Sequence, residues 1–202
     1  MNKVYFSSTK ALENEQIFWH FYKNSKRQAK IDKLVNIADK RLCLLSGILL
    51  DFGLKECGIL DYNLIYNDFG KPYLADNSVF FSISHSGDYA LCAISSKEVG
   101  CDIEIIKDNN IDIAKEFFNK LEFQKIQNSK NPKLEFYNLW CQKESYLKAL
   151  GIGLNDGLDF TLNDEIFIKN QKYYIQDLNI DKAYKSVLCS AFKKCELIKL
   201  KF

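Results

Sequence analysis

Short stretches of the chain have the apolar and polar pattern of strands. Apolar side chains occupy every second position in residues 79–84, and runs of similar length follow at residues 90–94 and 99–106. Because only short polar turns separate these runs, they predict three successive strands in an antiparallel meander. Further strand-like runs lie at residues 4–6, 64–66, 160–162, 166–168, 173–175, 186–192 and 197–200.

Other stretches show helical spacing. Leucine or alanine recurs at positions 34, 38, 42, 45 and 49, and Gly53 is the predicted end of that helix. Residues 134–150 contain no glycine or proline and are rich in helix formers, so they predict a second long helix. Shorter helices are expected at residues 11–21, 111–118 and 120–127.

Three acidic residues occupy positions where a strand and a helix can bring them together. Asp102 and Glu104 alternate with apolar neighbours, so they share one face of a strand, roughly 7 Å apart. Two carboxylates this close repel each other unless a cation or solvent separates them. Glu144 and Lys148 share a face of the second long helix. Our hypothesis is that Asp102, Glu104 and Glu144 surround one magnesium ion, because carboxylates offer only oxygen atoms and magnesium prefers oxygen ligands.

Each part of this hypothesis also has an ordinary explanation. Asp102 and Glu104 would suit an exposed sheet face, and Glu144 with Lys148 would make a helix ion pair worth about 0.3 to 0.5 kcal/mol. Only the combination points to a metal site.

Composition narrows the class of protein. The 202 residues have 28 basic and 26 acidic side chains, a net charge of +2, which argues against nucleic acid as the main partner. Seven cysteines, with no Cys-x-x-Cys spacing, predict reduced thiols in a cytoplasmic protein. No apolar run approaches the length that spans a bilayer, and no signal peptide is expected at the N-terminus.

A polar turn and a stiff lysine add candidate phosphate ligands. Ser84, His85 and Ser86 offer hydroxyl, imidazole and backbone donors, which suit phosphate oxygens. A hydrogen-bonded turn histidine is an equally good explanation locally, whereas a Ser/His/Asp hydrolase would need a Gly-x-Ser-x-Gly turn that the chain lacks. Lys71 lies between Gly70 and Pro72 and so presents its charge from a constrained turn.

Four motifs in order resemble those of the 4'-phosphopantetheinyl transferases. They are residues 70–72 (GKP), 81–87 (FSISHSG), 99–104 (VGCDIE) and 140–148 (WCQKESYLK). The chain length is similar to the surfactin-synthetase-activating (Sfp-type) branch, and an echo between residues 89–93 and 185–190 permits two similar halves.

The resemblance implies a fold and a reaction. The fold would be α+β, a pseudo-dimer of two similar halves, each with a small, mainly antiparallel sheet packed on helices. Residues 1–105 and 106–202 would form the halves, with the active site in the cleft between them. The enzyme would move 4'-phosphopantetheine from coenzyme A, its co-substrate, to a serine of an apo acyl or peptidyl carrier protein. It would need magnesium, release adenosine 3',5'-bisphosphate and act as a cytoplasmic monomer that binds neither nucleic acid nor membrane.

The resemblance also implies roles for single residues. Asp102, Glu104 and Glu144 would hold magnesium, and Glu144, Lys148 and His85 would take part in catalysis. The predicted contacts with coenzyme A are Arg27, Lys30, Cys43, Lys71, Ser84, His85 and Lys148. Cys43 stands where the family usually has a small hydroxyl residue.

Two other functions stay open at this point. A non-catalytic module that binds coenzyme A or a carrier protein would need a broken acidic trio, and here the trio is intact. A magnesium-dependent phosphohydrolase would usually show further acidic or histidine ligands, which we do not find in the sequence.

Overall fold

The structure is a computed structural model that describes residues 2–107, 111–153, 160–162 and 166–202. Its helices are α1 (Glu15–Lys23), α2 (Gln28–Asp32), α3 (Ile37–Glu56), α4 (Ile111–Phe117), α5 (Lys120–Asn128) and α6 (Pro132–Leu150). Its strands are β1 (Asn2–Ser8), β2 (Leu64–Tyr66), β3 (Pro72–Leu74), β4 (Phe80–Ser86), β5 (Tyr89–Ser95), β6 (Val99–Ile105), β7 (Ile166–Ile168), β8 (Gln171–Asp177), β9 (Tyr184–Ser190) and β10 (Glu196–Lys199).

The longer strands form two four-stranded sheets. The first has the order β10-β1-β5-β4 and the second the order β6-β9-β8-β7, while β2 and β3 make a separate hairpin. Only β1 and β10 pair in parallel; the other pairs in these sheets are antiparallel. The expected α+β class, with small sheets and helices, is therefore confirmed.

The predicted meander is wrong in its third strand. β4 and β5 form the expected hairpin, but β6 pairs with β9 in the other sheet. Both edges of β5 are already occupied, by β1 and by β4, so β6 must find its partner elsewhere. Residues 160–162 are also not a strand: the carbonyl of Phe160 accepts a hydrogen bond from the Lys143 side chain instead of a ladder partner.

Helix α3 packs on the first sheet through a glycine. We expected Gly53 to end this helix, but the helix continues to Glu56. A Cβ atom at Gly53 would lie 2.5 Å from Ile94 Cδ1 and 2.8 Å from Tyr5 Cε2. Gly53 is thus required for the close packing of the helix on the sheet, and its backbone remains helical.

Helix α6 packs on β6 even more closely. A Cβ atom at Gly100 would lie 1.8 Å from the carbonyl oxygen of Ser145 and 2.5 Å from the amide nitrogen of Ala149. The side chain of Asn131 caps the first turn by accepting from the amide of Leu134, and Gly151 ends the helix in the left-handed region with φ of 78°. This contact brings the predicted helix of Glu144 directly onto the strand of Asp102.

A hydrophobic cluster packs on each face of the first sheet. One cluster lies between α3 and the first sheet and includes Leu45, Leu49 and Ile94, and another lies between the two sheets and includes Val4 and Ile103. Within the described ranges, no helix is both long enough and apolar enough to cross a membrane.

Candidate active site

Strands β4 and β6 meet through serine hydroxyls. The hydroxyl of Ser82 accepts from the amide of Cys101 at 3.0 Å, that of Ser84 from Ile103 at 3.3 Å, and that of Ser86 from Ile105 at 3.1 Å. The three serines alternate along β4, and β6 is bound to this strand through their side chains, since the two strands belong to different sheets. We call this contact the serine seam. It fixes the register of β6, and with it the positions of the predicted metal ligands.

Asp102 lies at the centre of the site. Its Oδ1 accepts from Lys148 Nζ at 2.6 Å and from the hydroxyl of Ser84 at 2.8 Å. Lys148 Nζ also donates to that hydroxyl at 3.1 Å, so the three groups form one network. The Asp102 side chain is 2% exposed, while that of Lys148 is 30% exposed.

The electrostatics of Lys148 follow from this network. Burial favours its neutral amine, but the carboxylates of Asp102 and Glu144 outweigh that effect and raise the pKa of Lys148. Its ammonium therefore stays charged at the edge of the cleft.

Glu104 and Glu144 complete the acidic trio. Glu104 Oε2 accepts from the hydroxyl of Ser86 at 2.7 Å. Burial raises the pKa of Glu104, and the charge of Asp102 adds to the rise. Burial raises the pKa of Glu144 to about 7; Lys148 opposes this rise, and both Asp102 and Glu104 add to it. The structure thus brings Asp102, Glu104, Glu144 and Lys148 to one cleft.

The donor set of this cleft fits a hard cation. Asp102 Oδ2 is buried and makes no hydrogen bond. Two further carboxylates line the same cleft, and their negative charge repels that of Asp102. In the described part of the chain, no three His, Cys, Asp or Glu side chains already stand in the arrangement of a metal site. Lys148 is the partner of Asp102 Oδ1, so the oxygens available to an ion would be Asp102 Oδ2 and the carboxylates of Glu104 and Glu144.

Basic residues border the same cleft. His85 lies on the exposed side of β4, and Arg27 and Lys30 line the cleft from α2 and the residue before it. Burial lowers the pKa of His85, and the nearby charges of Lys148, Lys30 and Arg27 lower it further. A neutral imidazole beside three cations suits an anionic ligand that carries several charges.

Cys43 does not line this cleft, and Lys71 lines an adjoining pocket that shares Glu144 and Lys148 with it. Cys43 is buried in the hydrophobic cluster of the first sheet and is not among the residues that line the cleft. Lys71 Nζ donates to the carbonyl of Lys148 at 2.6 Å, and burial lowers the pKa of Lys71. Ser84 is present at the site, but its hydroxyl proton is directed at Asp102.

Sequence reasoning missed the role of Ser86 and the pair of Lys143 with Glu122. The alternation of Ser82, Ser84 and Ser86 was a visible signal for a polar strand face. No comparable signal links Lys143 to Glu122, whose side chains meet at 2.6 Å between α6 and α5.

Comparisons with known proteins agree on one family. The family model of the 4'-phosphopantetheinyl transferase superfamily matches residues 98–194. The 4'-phosphopantetheinyl transferase Sfp of Bacillus subtilis (strain 168) is 30% identical, over 93% of this chain and 90% of that protein. The 4'-phosphopantetheinyl transferase gsp of Aneurinibacillus migulanus is 33% identical, over 84% of this chain and 76% of its own length. A further 4'-phosphopantetheinyl transferase of Bacillus subtilis is 35% identical, over 74% of this chain and 71% of its own length.

Proposed function

The chain belongs to the 4'-phosphopantetheinyl transferase superfamily, in its Sfp-type branch, and from this premise we propose which residues carry the reaction. It is a transferase that places 4'-phosphopantetheine on carrier proteins. We propose that coenzyme A is the donor, that a serine of an apo acyl or peptidyl carrier protein is the acceptor, and that adenosine 3',5'-bisphosphate leaves. We also propose that the enzyme acts as a monomer, with residues 1–105 and 106–202 as two related halves around the cleft.

The acidic trio would hold magnesium. Asp102 offers a buried oxygen without a hydrogen bond, and Glu104 and Glu144 line the same cleft. When bound, the ion would neutralise charge on the diphosphate of coenzyme A and stabilise the leaving phosphate. Ser84 and Ser86 would keep Asp102 and Glu104 in place from the far side of the seam.

The basic border of the cleft would bind the phosphates. Arg27 and Lys30 would contact the 3'-phosphate end of the nucleotide, while His85 and Lys148 would contact the diphosphate. Arg27 and Lys30 are held at the start of α2 and on it, His85 on β4 and Lys148 on α6, so these groups are positioned before the substrate arrives.

The proton transfer would fall to Glu144. The serine oxygen of the carrier attacks the phosphorus next to the pantetheine arm, and the diphosphate bond breaks toward the nucleotide. The serine proton passes to the carboxylate of Glu144, directly or through a water. Burial raises the pKa of Glu144 to about 7, which makes it a better proton acceptor than an ordinary carboxylate near neutral pH.

One observation carries the proposal: the cleft gathers all three carboxylates with Lys148 and His85, although they come from three distant stretches of the chain. The direct test incubates the protein with apo carrier protein, coenzyme A and magnesium, and measures the mass of the carrier. A mass increase equal to one phosphopantetheine group is expected, and none without magnesium.

The variant Glu144→Gln tests the assignment of the base. We expect carrier loading to fall by at least about 100-fold, while coenzyme A still binds, because the amide cannot accept the serine proton. Loading at the wild-type rate would refute the role of Glu144, and loss of coenzyme A binding would indicate a different role.

A further inference from the structure

A small turn of the first half holds the end of helix α6. The turn joins β2 to β3, and Asn67 builds it: Asn67 Oδ1 accepts from the amide of Phe69 at 3.1 Å and from the amide of Lys71 at 2.9 Å. Gly70 takes the left-handed conformation that the turn requires, with φ of 79°. The turn is therefore preorganised by its own hydrogen bonds.

The same turn reaches across to the last residues of α6. Asn67 Nδ2 donates to the carbonyl of Gly151 at 2.6 Å, and Lys71 Nζ donates to the carbonyl of Lys148 at 2.6 Å. Lys71 Nζ also lies 3.5 Å from the carbonyl of Val99, at the start of β6. One lysine thus links the helix and the strand that carry the acidic trio.

These contacts satisfy groups that a helix end leaves open. The last four carbonyls of a helix have no helical partner, and the C-terminus carries a partial negative charge that favours a cation. Leu147 O accepts from the amides of Gly151 and Ile152, while Lys71 supplies the partner of the next carbonyl.

Lys148 is consequently held at both ends. Its carbonyl is bound by Lys71, and its ammonium is bound to Asp102 Oδ1 at 2.6 Å. Glu144 lies one helical turn before it, so the same clamp restricts the turn that presents Glu144 to the cleft.

We propose that Asn67 and Lys71 are positioning residues that clamp the C-terminal turn of α6, and that the Lys71 ammonium does not bind a substrate phosphate. This inference rests on the proposed function of the cleft. Lys71, the lysine of the GKP motif, would align Lys148 and Glu144. Loss of its ammonium would therefore affect turnover more than the binding of coenzyme A.

Two variants of the clamp test it. Lys71→Met keeps the length of the side chain and removes the donor. Asn67→Asp keeps the acceptor that builds the turn but replaces the donor to Gly151 O with a carboxylate oxygen. For each we expect kcat to fall about tenfold while KM for coenzyme A changes less than about threefold. We also expect amide hydrogen exchange of Gly151 and Ile152 to accelerate about tenfold.

The control is Lys3→Met on β1. It removes an ammonium that pairs with Glu56 at 2.8 Å outside the cleft, and it should leave kcat, KM and the exchange of both amides unchanged. A rise in KM for coenzyme A of more than about tenfold with unchanged kcat in Lys71→Met would overturn the proposal in favour of phosphate binding. Unchanged exchange of Gly151 and Ile152 in both clamp variants would overturn it as well. Amide exchange needs no substrate, so it tests the clamp even if the wild-type protein loads no carrier.

Discussion

Helix α6 carries two ion pairs of equal length in opposite surroundings. Lys143 and Glu122 meet at 2.6 Å with side chains 1% and 8% exposed, and Lys148 and Asp102 meet at 2.6 Å at the edge of the cleft. Lys143 also donates to the carbonyl of Phe160, and its charge lies 5.1 Å from the centre of the Phe118 ring. Asp102, in contrast, keeps one buried oxygen without a hydrogen bond.

The difference separates a structural pair from the pair that we propose to be functional. A buried pair whose groups have protein partners holds two helices together, and removing one partner is costly. A pair with an unsatisfied oxygen and two further carboxylates beside it stores repulsion that a cation or a substrate can relieve. The distance between nitrogen and oxygen does not distinguish the two ion pairs, but the surroundings of each carboxylate do.

Asp102→Asn should give the largest effect on activity. The amide removes the charge of the proposed central magnesium ligand but keeps its shape, so we expect carrier loading to fall by at least about 100-fold with the fold retained. Loading rates together with circular dichroism would measure both. Glu122→Gln, the matched change in the buried pair, should lower thermal stability and leave most of the specific activity of the folded fraction. If Asp102→Asn kept its normal magnesium dependence, the distinction between the pairs would fail.

Lys143→Met should give the largest effect on stability. It leaves Glu122 buried without its ammonium, so we expect a loss of about 3 to 5 kcal/mol in the free energy of unfolding. Denaturant titration would measure this loss, and the double variant Lys143→Met with Glu122→Leu should recover most of it. Lys169→Met is the control, because it breaks an exposed pair with Glu98 of 2.7 Å and should cost less than about 1 kcal/mol. Equal losses in the two single variants would contradict a structural role for the buried pair.

A smaller effect should appear in the pH dependence of stability. Burial raises the pKa of Glu144 above its ordinary value, to about 7, so the folded protein binds this proton more tightly than the unfolded chain. Its contribution to stability is therefore full below the ordinary pKa and is lost as pH rises through about 7. Without divalent cations, we expect the melting temperature to fall between about pH 5 and pH 8, and less so in Glu144→Gln.

Magnesium should counter that loss. Because it binds ionised carboxylates, the rise in melting temperature that it causes should be larger near pH 8 than near pH 5. Calorimetric scans with and without magnesium at the two pH values would measure the difference. A melting temperature that does not respond to magnesium at either pH would argue against the ion at this site.

Local patterns in the sequence were sufficient for the individual elements of the site. The alternation around Asp102 and Glu104 predicted their shared strand, and the composition of residues 134–150 predicted the helix of Glu144. Neither pattern predicts the pairing of β6 with β9. The partner strand lies some eighty residues later, and the pairing depends on which strand edges are still free.

The orientation of single side chains was also beyond the sequence. Lys71 was predicted from its motif to face a phosphate, yet its ammonium is directed at the end of α6. That choice depends on a helix end formed by residues far along the chain, which no local pattern around Lys71 encodes. The contact of Lys71 with coenzyme A consequently remains a prediction, and the clamp offers a different role for the same residue.

The position of β10 has a consequence for the order in which the protein forms. This strand pairs with β1 in parallel, so that edge of β1 is not covered until residues 196–199 have been translated. During synthesis on the ribosome, the outer edge of β1 is therefore exposed while almost all other residues are added. Until β10 is made, this uncovered edge is a place where a chaperone can bind or where two unfinished chains can associate.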